Sequence, residues 1–215
     1  MNQAFFITGT DTGVGKTYVA CELIRQFAAQ GLKVVGMKPV AAGREFVHGA
    51  WVHDDVQKLI AASNVSAPIE LVNPYCFDEA IAPHIAAGKA DVNIQIEVIF
   101  KAYRALCKLA DVVIVEGAGG FLVPLNDKET LADLALALDI PIILVVGVKL
   151  GCINHTLLTA EAIKVRNLTL HGWVANCLDT KMLVANENIA TLIERLQTAP
   201  MLALGLGQTK NQIVE

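Results

Sequence analysis

Short apolar runs alternate with longer amphipathic segments along the whole chain, and this alternation limits the possible folds more than any other feature. The pattern predicts strands at residues 4–8, 33–37, 111–116, 142–148, 170–175 and 201–204. It predicts helices at residues 16–30, 54–62, 94–110, 130–138, 154–165 and 186–196. Strands joined through helices lie parallel, and right-handed crossovers place helices on both faces of the sheet. We therefore predict an α/β fold with a doubly wound, mostly parallel sheet.

The composition excludes several classes of protein. Hydrophobic residues make up 54% of the chain and charged residues 18%, which rules out an intrinsically disordered protein. The formal net charge of −4 argues against a nucleic-acid-binding protein, which carries an excess of Lys and Arg. The longest apolar stretch, near residues 141–148, is far shorter than the ~20 residues that span a bilayer. We expect no nucleic-acid partner and no membrane partner.

Length and cysteine content bear on domain number and location. A chain of 215 residues can form one core, so we expect a single domain over residues 1–215 with a loosely ordered tail from about residue 205. Residues 67–89 are less regular in pattern and are expected to form a lid or an edge. The five cysteines form no CxxC pair, which favours reduced thiols. The N-terminal residues lack the features of a signal peptide, so a cytoplasmic protein is expected.

The strongest motif is a glycine-rich loop between the first predicted strand and the first predicted helix. Residues 9–17 read Gly-Thr-Asp-Thr-Gly-Val-Gly-Lys-Thr. In a phosphate-binding loop of this kind, backbone N–H groups surround a phosphate at the helix N-terminus, the lysine (Lys16) reaches the β- and γ-phosphates, and the hydroxyl of Thr17 binds Mg²⁺. The usual pattern has glycine where Thr10 stands here. An ordinary glycine-rich turn is the alternative, which Gly-Lys-Thr at the helix start disfavours.

Two acidic residues are candidates for the same metal. Glu116 ends an apolar strand and precedes the glycine-rich residues 117–120, a position from which an acid can bind Mg²⁺ beside a phosphate loop. The alternative is a solvated glutamate before a flexible turn. Asp55 lies in the first turn of a predicted helix, where it either interacts with the helix dipole or binds Mg²⁺.

Other polar residues near predicted strand ends also have two interpretations. Lys38 either contacts a transferred phosphoryl group or is a solvated loop lysine. Asn176 either hydrogen-bonds a purine edge or is a turn residue. Asn154 is the predicted N-cap of its helix, and residues 149–155 are either a cap and turn or a further anion site at the helix N-terminus. Cys152 and His155 are interpreted as structural, because neither has a visible catalytic partner.

Several segments, in order over about residues 1–180, together resemble the dethiobiotin synthetase family. They are GTDTGVGKT at 9–17, KPV at 38–40, NPYCF at 73–77, PH at 83–84, EGAGG at 116–120, VVGVKLGCINH at 145–155 and GWVAN at 172–176. Gly-Lys-Thr alone is common to many nucleotide-binding proteins, and the later segments are more specific. The resemblance implies a P-loop NTPase fold and a homodimer with composite active sites. It also implies the conversion of 7,8-diaminononanoate, CO₂ and MgATP to dethiobiotin, ADP and phosphate.

The resemblance implies roles for individual residues. Lys16 and Lys38 match catalytic lysines, and the residues around Mg²⁺ match Thr17, Asp55 and Glu116. The residues expected to contact the nucleotide are Gly13, Val14, Gly15, Lys16, Thr17, Tyr18, Asp55, Glu116, Gly117, Ala118, Gly119 and Asn176. Those expected to contact the substrate are Thr12, Lys38, Ala42, Gly119 and, across the dimer interface, Leu150, Gly151, Cys152, Ile153 and Asn154.

This sequence departs from the family pattern in two places. Ala42 stands where family members often have a serine that contacts the substrate. The residues after Leu204 do not match the family loop that helps to hold the base, so weak discrimination among nucleoside triphosphates is expected.

Two other functions are open. One is another ATP-dependent ligase on the same fold. The other is a nucleotide-switch ATPase of the partitioning type, which commonly has a second lysine near the start of the loop. This chain has Thr10, Asp11 and Thr12 there, which weighs against a switch.

Overall fold

Strands and helices alternate along the chain in the computed structural model, which describes residues 3–47, 49–177 and 182–205. The strands are β1 (Gln3–Gly9), β2 (Val34–Met37), β3 (Val40–Ala42), β4 (Glu45–Val47), β5 (Ala50–Val52), β6 (Tyr75–Phe77), β7 (Val112–Glu116), β8 (Ile142–Gly147), β9 (Leu170–Asn176) and β10 (Leu202–Leu204). The helices are α1 (Lys16–Ala29), α2 (Asp54–Ala62), α3 (Ile69–Val72), α4 (Pro83–Lys89), α5 (Ile96–Leu106), α6 (Leu131–Leu138), α7 (Cys152–Lys164) and α8 (Ala185–Leu196).

Six strands form one sheet in the order β10-β9-β8-β1-β7-β2, and every neighbouring pair is parallel. The first strand lies inside the sheet, so the chain winds outward from β1 in both directions. The predicted doubly wound α/β fold with a mostly parallel sheet is therefore confirmed.

The sheet is buried on both faces because successive side chains of a strand point to opposite sides. In β1, Phe6 packs into the core that contains α5 and α6, whereas Phe5 and Ile7 pack into the core that contains α1. The ring of Phe5 stacks on Phe27 of α1 with the centroids 5.9 Å apart. This two-sided burial explains why the strands read as continuous apolar runs rather than as alternating ones.

The carboxyl ends of the parallel strands meet at one edge of the sheet, which is where ligands bind in folds of this kind. The glycine-rich loop follows β1, and Lys38 follows β2. Glu116 is the last residue of β7 and Asn176 the last residue of β9. The fold thus brings the glycine-rich loop, Lys38, Glu116 and Asn176 to a common edge of the sheet.

The region around residues 40–89 contains short elements that the sequence pattern did not predict. Strand β3 pairs in parallel with β6, and β4 and β5 form an antiparallel hairpin. Residues 67–89, expected to be irregular, contain α3, β6 and α4. Strands of three residues carry too few side chains for a recognisable period, and the partners β3 and β6 are also distant in the sequence.

Two further predictions concern the C-terminal residues and the membrane. Residues 206–215 lie outside the described residues, so the single domain over the whole chain and the loosely ordered tail stay predictions. Among the helices described here, none combines the length and the hydrophobicity that crossing a membrane requires.

Candidate active site

The loop between β1 and α1 has the backbone geometry of an anion-binding site. Gly13 and Gly15 have positive φ angles of 72° and 93°, and Gly15 is the N-cap of α1. Lys16 is only 6% exposed, and its ammonium donates a hydrogen bond to the backbone carbonyl of Asp11 at 2.9 Å. Backbone N–H groups at the start of α1 and a lysine ammonium therefore lie together, as binding of a phosphate requires.

A buried charge cluster, made of Lys38, Asp55 and Glu116, lies beside this loop. The Nζ of Lys38 donates to Oε1 of Glu116 at 2.6 Å and to Oδ2 of Asp55 at 2.9 Å. The hydroxyl of Thr17 donates to the same Oε1 of Glu116 at 2.8 Å. The structure therefore brings together residues from α1, α2, β7 and the end of β2, all of which the sequence analysis named.

Burial and charge shift the pKa values of the two lysines in opposite directions. Burial, and then repulsion by Lys38, lower the pKa of Lys16 to about 8. Burial also acts to lower the pKa of Lys38, but attraction by Glu116 and Asp55 outweighs it and raises that pKa. For Asp55, burial acts to raise the pKa, and Lys38 outweighs burial and lowers it. Lys38 and Asp55 are therefore charged at neutral pH, whereas Lys16 changes its charge close to neutral pH.

The charge cluster offers ligands that suit Mg²⁺. Oε2 of Glu116 is buried and has no hydrogen-bond partner in the structure, so a cation would satisfy it. Within residues 3–47, 49–177 and 182–205, no group of three or more His, Cys, Asp or Glu side chains could hold a metal ion. Nucleotide-bound Mg²⁺ needs only one or two carboxylates, because phosphates and water supply the other ligands. The hydroxyl of Thr17 and the two carboxylates fit that requirement.

A pocket of about 460 Å³ opens beside the charge cluster. Four of the residues predicted to contact the substrate line it: Thr12, Lys38, Ala42 and Gly119. Residues 80–83, from the segment expected to form a lid or an edge, form another part of its wall. Ala42 contributes only a methyl group and backbone to this wall. The ionic contacts of the pocket are therefore concentrated at its Lys38 end.

Asn176 lies against the phosphate-binding loop. Its side-chain amide donates a hydrogen bond to the carbonyl of Val14 at 2.9 Å, and a Cβ added at Gly15 would lie 2.2 Å from its Nδ2. Gly15 is therefore required both for its positive φ angle and for the close approach of Asn176. In the structure, Asn176 holds the loop from the end of β9.

Residues 150–154 do not line the pocket of their own chain. Leu150 is 95% exposed, Gly151 and Asn154 are exposed, and Cys152 is buried. The prediction that Asn154 caps α7 is wrong, because the helix begins at Cys152 with Gly151 as N-cap. Gly151 has a φ angle of 93°, which glycine adopts without strain, and its carbonyl accepts the first helical hydrogen bond from His155.

The sequence analysis missed three residues of this region. Asp11 of the phosphate-binding loop forms an ion pair with Lys149, with 2.9 Å between Oδ2 and Nζ. His53 lines the pocket, and its Nε2 lies 3.2 Å from the carbonyl oxygen of Ala42. A charged residue inside the glycine-rich loop was the available signal for Asp11, whereas nothing local in the sequence identified its partner.

Comparison with known proteins finds a family model and two enzymes of one name that match nearly the whole chain. A family model described as an AAA domain matches residues 3–204. The ATP-dependent dethiobiotin synthetase BioD of Nitrosospira multiformis is 54% identical over 95% of this chain and 88% of its own length. The enzyme of the same name from Aromatoleum aromaticum is 50% identical over 94% of this chain and 89% of its own length.

Solved structures of more distant proteins share the fold. The MinC:MinD cell division protein complex of Aquifex aeolicus aligns with a TM-score of 0.58 at 16% identity, over 95% of this chain and 82% of that chain. A ParA family ATPase from Chlorobium tepidum aligns with a TM-score of 0.58 at 13% identity, over 94% of this chain and 83% of that chain. At such low identity these likenesses show a shared fold alone.

We predict that Lys38→Met lowers the free energy of unfolding by about 3 kcal/mol, because it leaves buried carboxylate charge without its cation. Lys58→Met is the matched control, since Lys58 pairs with Asp54 at the surface of α2, with both side chains more than half exposed. The control should change stability by less than about 0.5 kcal/mol. Urea unfolding at pH 7.5 without divalent metal measures both variants.

The pKa shifts also fix the pH range of that effect. The raised pKa of Lys38 and the lowered pKa of Asp55 keep this pair charged between pH 5 and 9, so its contribution should be constant there. It should decrease as the pH rises above 10.5, the ordinary pKa of lysine, toward the raised pKa of Lys38, or as it falls below 3.8, the ordinary pKa of aspartate, toward the lowered pKa of Asp55. Equal stability losses in Lys38→Met and Lys58→Met would contradict the assignment of a buried cluster.

We predict that nucleotide affinity falls above pH 8, because the pKa of Lys16 in the free protein is lowered to about 8 and a neutral amine attracts phosphate poorly. The dissociation constant of MgADP should rise by about tenfold between pH 7.5 and 9.5. Isothermal titration calorimetry across this range makes the measurement. Lys16→Arg is the control, because a guanidinium keeps its charge throughout.

This prediction is decided by how steeply the dissociation constant of MgADP rises with pH and not by its absolute value, since Lys16→Arg can bind more weakly at every pH. The variant should show a nearly flat dependence on pH over the same range. A wild-type dissociation constant that does not change, or an equal rise in Lys16→Arg, would show that another group titrates.

Proposed function

The chain belongs to the dethiobiotin synthetase family, and we propose that it forms the ureido ring of dethiobiotin from 7,8-diaminononanoate and CO₂, with ATP converted to ADP and phosphate. It is an ATP-dependent ligase. The observation that carries this conclusion is the identity of 54% and 50% to two such enzymes over nearly the full length of the chain. The phosphate-binding loop, the charge cluster and the pocket supply the parts that this reaction needs.

ATP is proposed to bind with its phosphates in the loop that ends at Lys16. Gly13, Val14, Gly15, Lys16, Thr17 and Tyr18 form the proposed nucleotide contacts at this end of α1, with residues 117–119 on the side of β7. The contact of Asn176 with Val14 supports a place for Asn176 beside the nucleotide. Thr17, Asp55 and Glu116 would hold Mg²⁺, whose charge would offset that of the triphosphate during phosphoryl transfer.

The diamine is proposed to bind in the pocket that Lys38 and Thr12 line. An amine with a pKa of ~10 is mostly protonated at neutral pH and cannot attack CO₂ in that form. Burial in the pocket and repulsion by Lys16 and Lys38 would lower the pKa of the bound amine, against the attraction of Asp55 and Glu116. The carbamate that forms is an anion, and the same two lysines stabilise it.

The carbamate is then activated by ATP. One of its oxygens attacks the γ-phosphorus and displaces ADP, while Lys16 and Lys38 balance the charge on the phosphoryl oxygens. The second amine of the same molecule attacks the carbonyl carbon of the resulting anhydride. Phosphate leaves with the carbamate oxygen, and the ring closes. Because both amines belong to one bound molecule, this last step is intramolecular and favoured by proximity.

A homodimer is proposed on the evidence of an exposed apolar surface near the phosphate-binding loop. A second pocket of about 460 Å³ is lined by Asp11, Phe121, Leu122 and Leu158, among others. Leu122 is 49% exposed, Leu158 57% and Leu150 95%. A second copy that covers this surface would bring residues 150–154 of one subunit to the substrate of its neighbour, which explains why they do not line their own pocket.

The location of the protein is proposed to be the cytoplasm. None of the five cysteines, all of which lie in the described part of the chain, forms a disulfide, which suits a reducing compartment. A nucleotide-switch function has less support. The loop has Thr10, Asp11 and Thr12 where a switch has a second lysine, and the likeness to partitioning ATPases is one of fold alone.

We predict that the purified protein converts diaminononanoate, C¹⁸O₂ and MgATP to dethiobiotin, and that one ¹⁸O atom per turnover enters the released phosphate. Mass spectrometry measures both products when CO₂ is supplied faster than it exchanges oxygen with water. Lys16→Ala should reduce product formation by at least about 10³-fold, because the transferred phosphoryl group loses a cation. Lys58→Met, outside the site, should leave the rate unchanged.

The two readouts test different parts of the proposal. Absence of dethiobiotin with the wild-type protein would overturn the proposed reaction. Dethiobiotin together with unlabelled phosphate would keep the reaction and reject phosphorylation of the carbamate.

We predict that two inactive variants restore activity to each other when they are mixed, because each proposed site uses residues of both subunits. Lys16→Ala damages the site of its own chain, whereas Asn154→Asp places a negative charge where the neighbouring substrate carboxylate is expected. Mixed dimers should regain up to one active site of two, about a quarter of wild-type activity after random exchange. Lys16→Ala mixed with Lys38→Met is the control, which should stay inactive.

Subunit exchange is verified by native mass spectrometry of differently tagged chains. Proven mixed dimers without recovered activity would show that each site is built from one chain, and a monomeric wild-type protein would reject the dimer itself.

A further inference from the structure

Lys149 links the phosphate-binding loop to the first turn of α7. Its Nζ lies 2.9 Å from Oδ2 of Asp11, and its backbone carbonyl accepts a hydrogen bond from the N–H of Cys152 at 2.9 Å. Asp11 in turn accepts a hydrogen bond from the N–H of Thr12 on its carboxylate, and from Lys16 on its backbone carbonyl. One residue therefore connects the loop that binds phosphate to the segment 150–154.

The backbone reinforces this connection on both sides of the loop. The N–H of Thr10 donates to the carbonyl of Val145 at 3.0 Å, which fixes the start of the loop to β8. On the other side, the N–H of Val148 donates to the carbonyl of Asn176 at 2.8 Å, and the side chain of Asn176 donates to Val14. The loop and the chain segment before α7 are thus held to each other at three points.

We propose that Lys149 is a positioning residue that couples the two substrate sites: nucleotide in the phosphate-binding loop increases the affinity of the segment 150–154 for the carboxylate of diaminononanoate in the neighbouring subunit. This inference rests on the proposed function and its homodimer. Lys149 itself contacts neither the transferred phosphoryl group nor the reacting amines in this scheme. It acts through Asp11 on one side and through the first turn of α7 on the other.

The physical basis is the ordering of a half-exposed ion pair. The side chains of Lys149 and Asp11 are 44% and 47% exposed, so solvent competes for both groups and the pair is weak in the free protein. Phosphate in the loop fixes Asp11 and adds a negative charge near Lys149. The first turn of α7 is already formed in the free protein, so what phosphate restricts is the remaining motion of Lys149 and of residues 150–151 before the helix. The second ligand then binds with a smaller loss of entropy. By linkage, the substrate must strengthen nucleotide binding by the same factor.

The ion pair also explains why Asp11 is charged inside an anion-binding loop. The ammonium of Lys149, together with the N–H of Thr12, holds the pKa of Asp11 below its usual value. A carboxylate next to bound phosphate would otherwise repel it. The positive charge of Lys149 removes that repulsion, so the same residue that transmits the signal also makes the loop compatible with its ligand.

The test is the dissociation constant of diaminononanoate with and without saturating MgADP, measured by calorimetry on the wild-type protein and on Lys149→Met. The wild-type protein should bind the diamine about fivefold more tightly with the nucleotide, and Lys149→Met should show less than about a twofold effect. Lys149→Arg should keep most of the coupling, since it keeps the charge. Asp11→Asn should lose it, and Asp11→Asn/Lys149→Met should lose no more than either single variant.

Lys89→Met is the matched control, because Lys89 forms a half-exposed ion pair with Glu79 and has no contact with the loop. It should retain the wild-type coupling, and melting temperatures confirm that all variants fold. A coupling factor near one in the wild-type protein, or an unchanged factor in Lys149→Met, would overturn the inference. If the coupling is absent but the wild-type protein forms dethiobiotin, the proposed function stands. If the wild-type protein shows neither coupling nor dethiobiotin formation, the proposed function is rejected as well.

Discussion

The position of one ammonium group, that of Lys38 between two carboxylates, determines the geometry of the site. Lys38 is 4% exposed and Glu116 1%, so neither charge can be solvated by water, and each depends on the other. An unpaired charge at such a place would be strongly destabilising. The pairing therefore fixes the end of β2 against the end of β7, and Asp55 adds the start of α2 to the same point.

The parallel sheet makes this cluster possible, because it gathers strand ends that are distant in the sequence. Lys38 and Glu116 are 78 residues apart, yet β2 and β7 are neighbours in the sheet. The phosphate-binding loop lies one strand further along, after β1, so the hydroxyl of Thr17 reaches Glu116. Strand order therefore brings the phosphate-binding loop, the carboxylate of Glu116 and the ammonium of Lys38 to one place, beside the pocket.

The sequence predicted this arrangement where local signals were strong, and it failed where the decisive contacts are distant. Helix α2 has the predicted bounds, since acidic residues and an amphipathic pattern mark its start and its face. The pairing of β3 with β6 escaped prediction because each strand has only three residues and its partner lies about 35 residues away. The start of α7 was placed at Asn154 by side-chain preference, whereas the positive φ of Gly151 decides it. The ion pair of Asp11 and Lys149 spans 138 residues and has no local signal.

The two lysines of the site differ in a way that suits the proposed reaction. Lys38 has carboxylate partners and a raised pKa, so it stays charged at neutral pH. This charge stabilises the structure and also takes part in the proposed reaction. Among the described residues, the hydrogen-bond partner of the Lys16 ammonium is a backbone carbonyl, and its pKa is about 8, so its charge is poorly compensated until an anion arrives. A substrate ammonium near these lysines would meet repulsion from Lys16 and Lys38 and attraction from Asp55 and Glu116, and burial would favour its neutral form. In the proposed reaction the carbamate that follows is an anion, which the poorly compensated ammonium of Lys16 can stabilise.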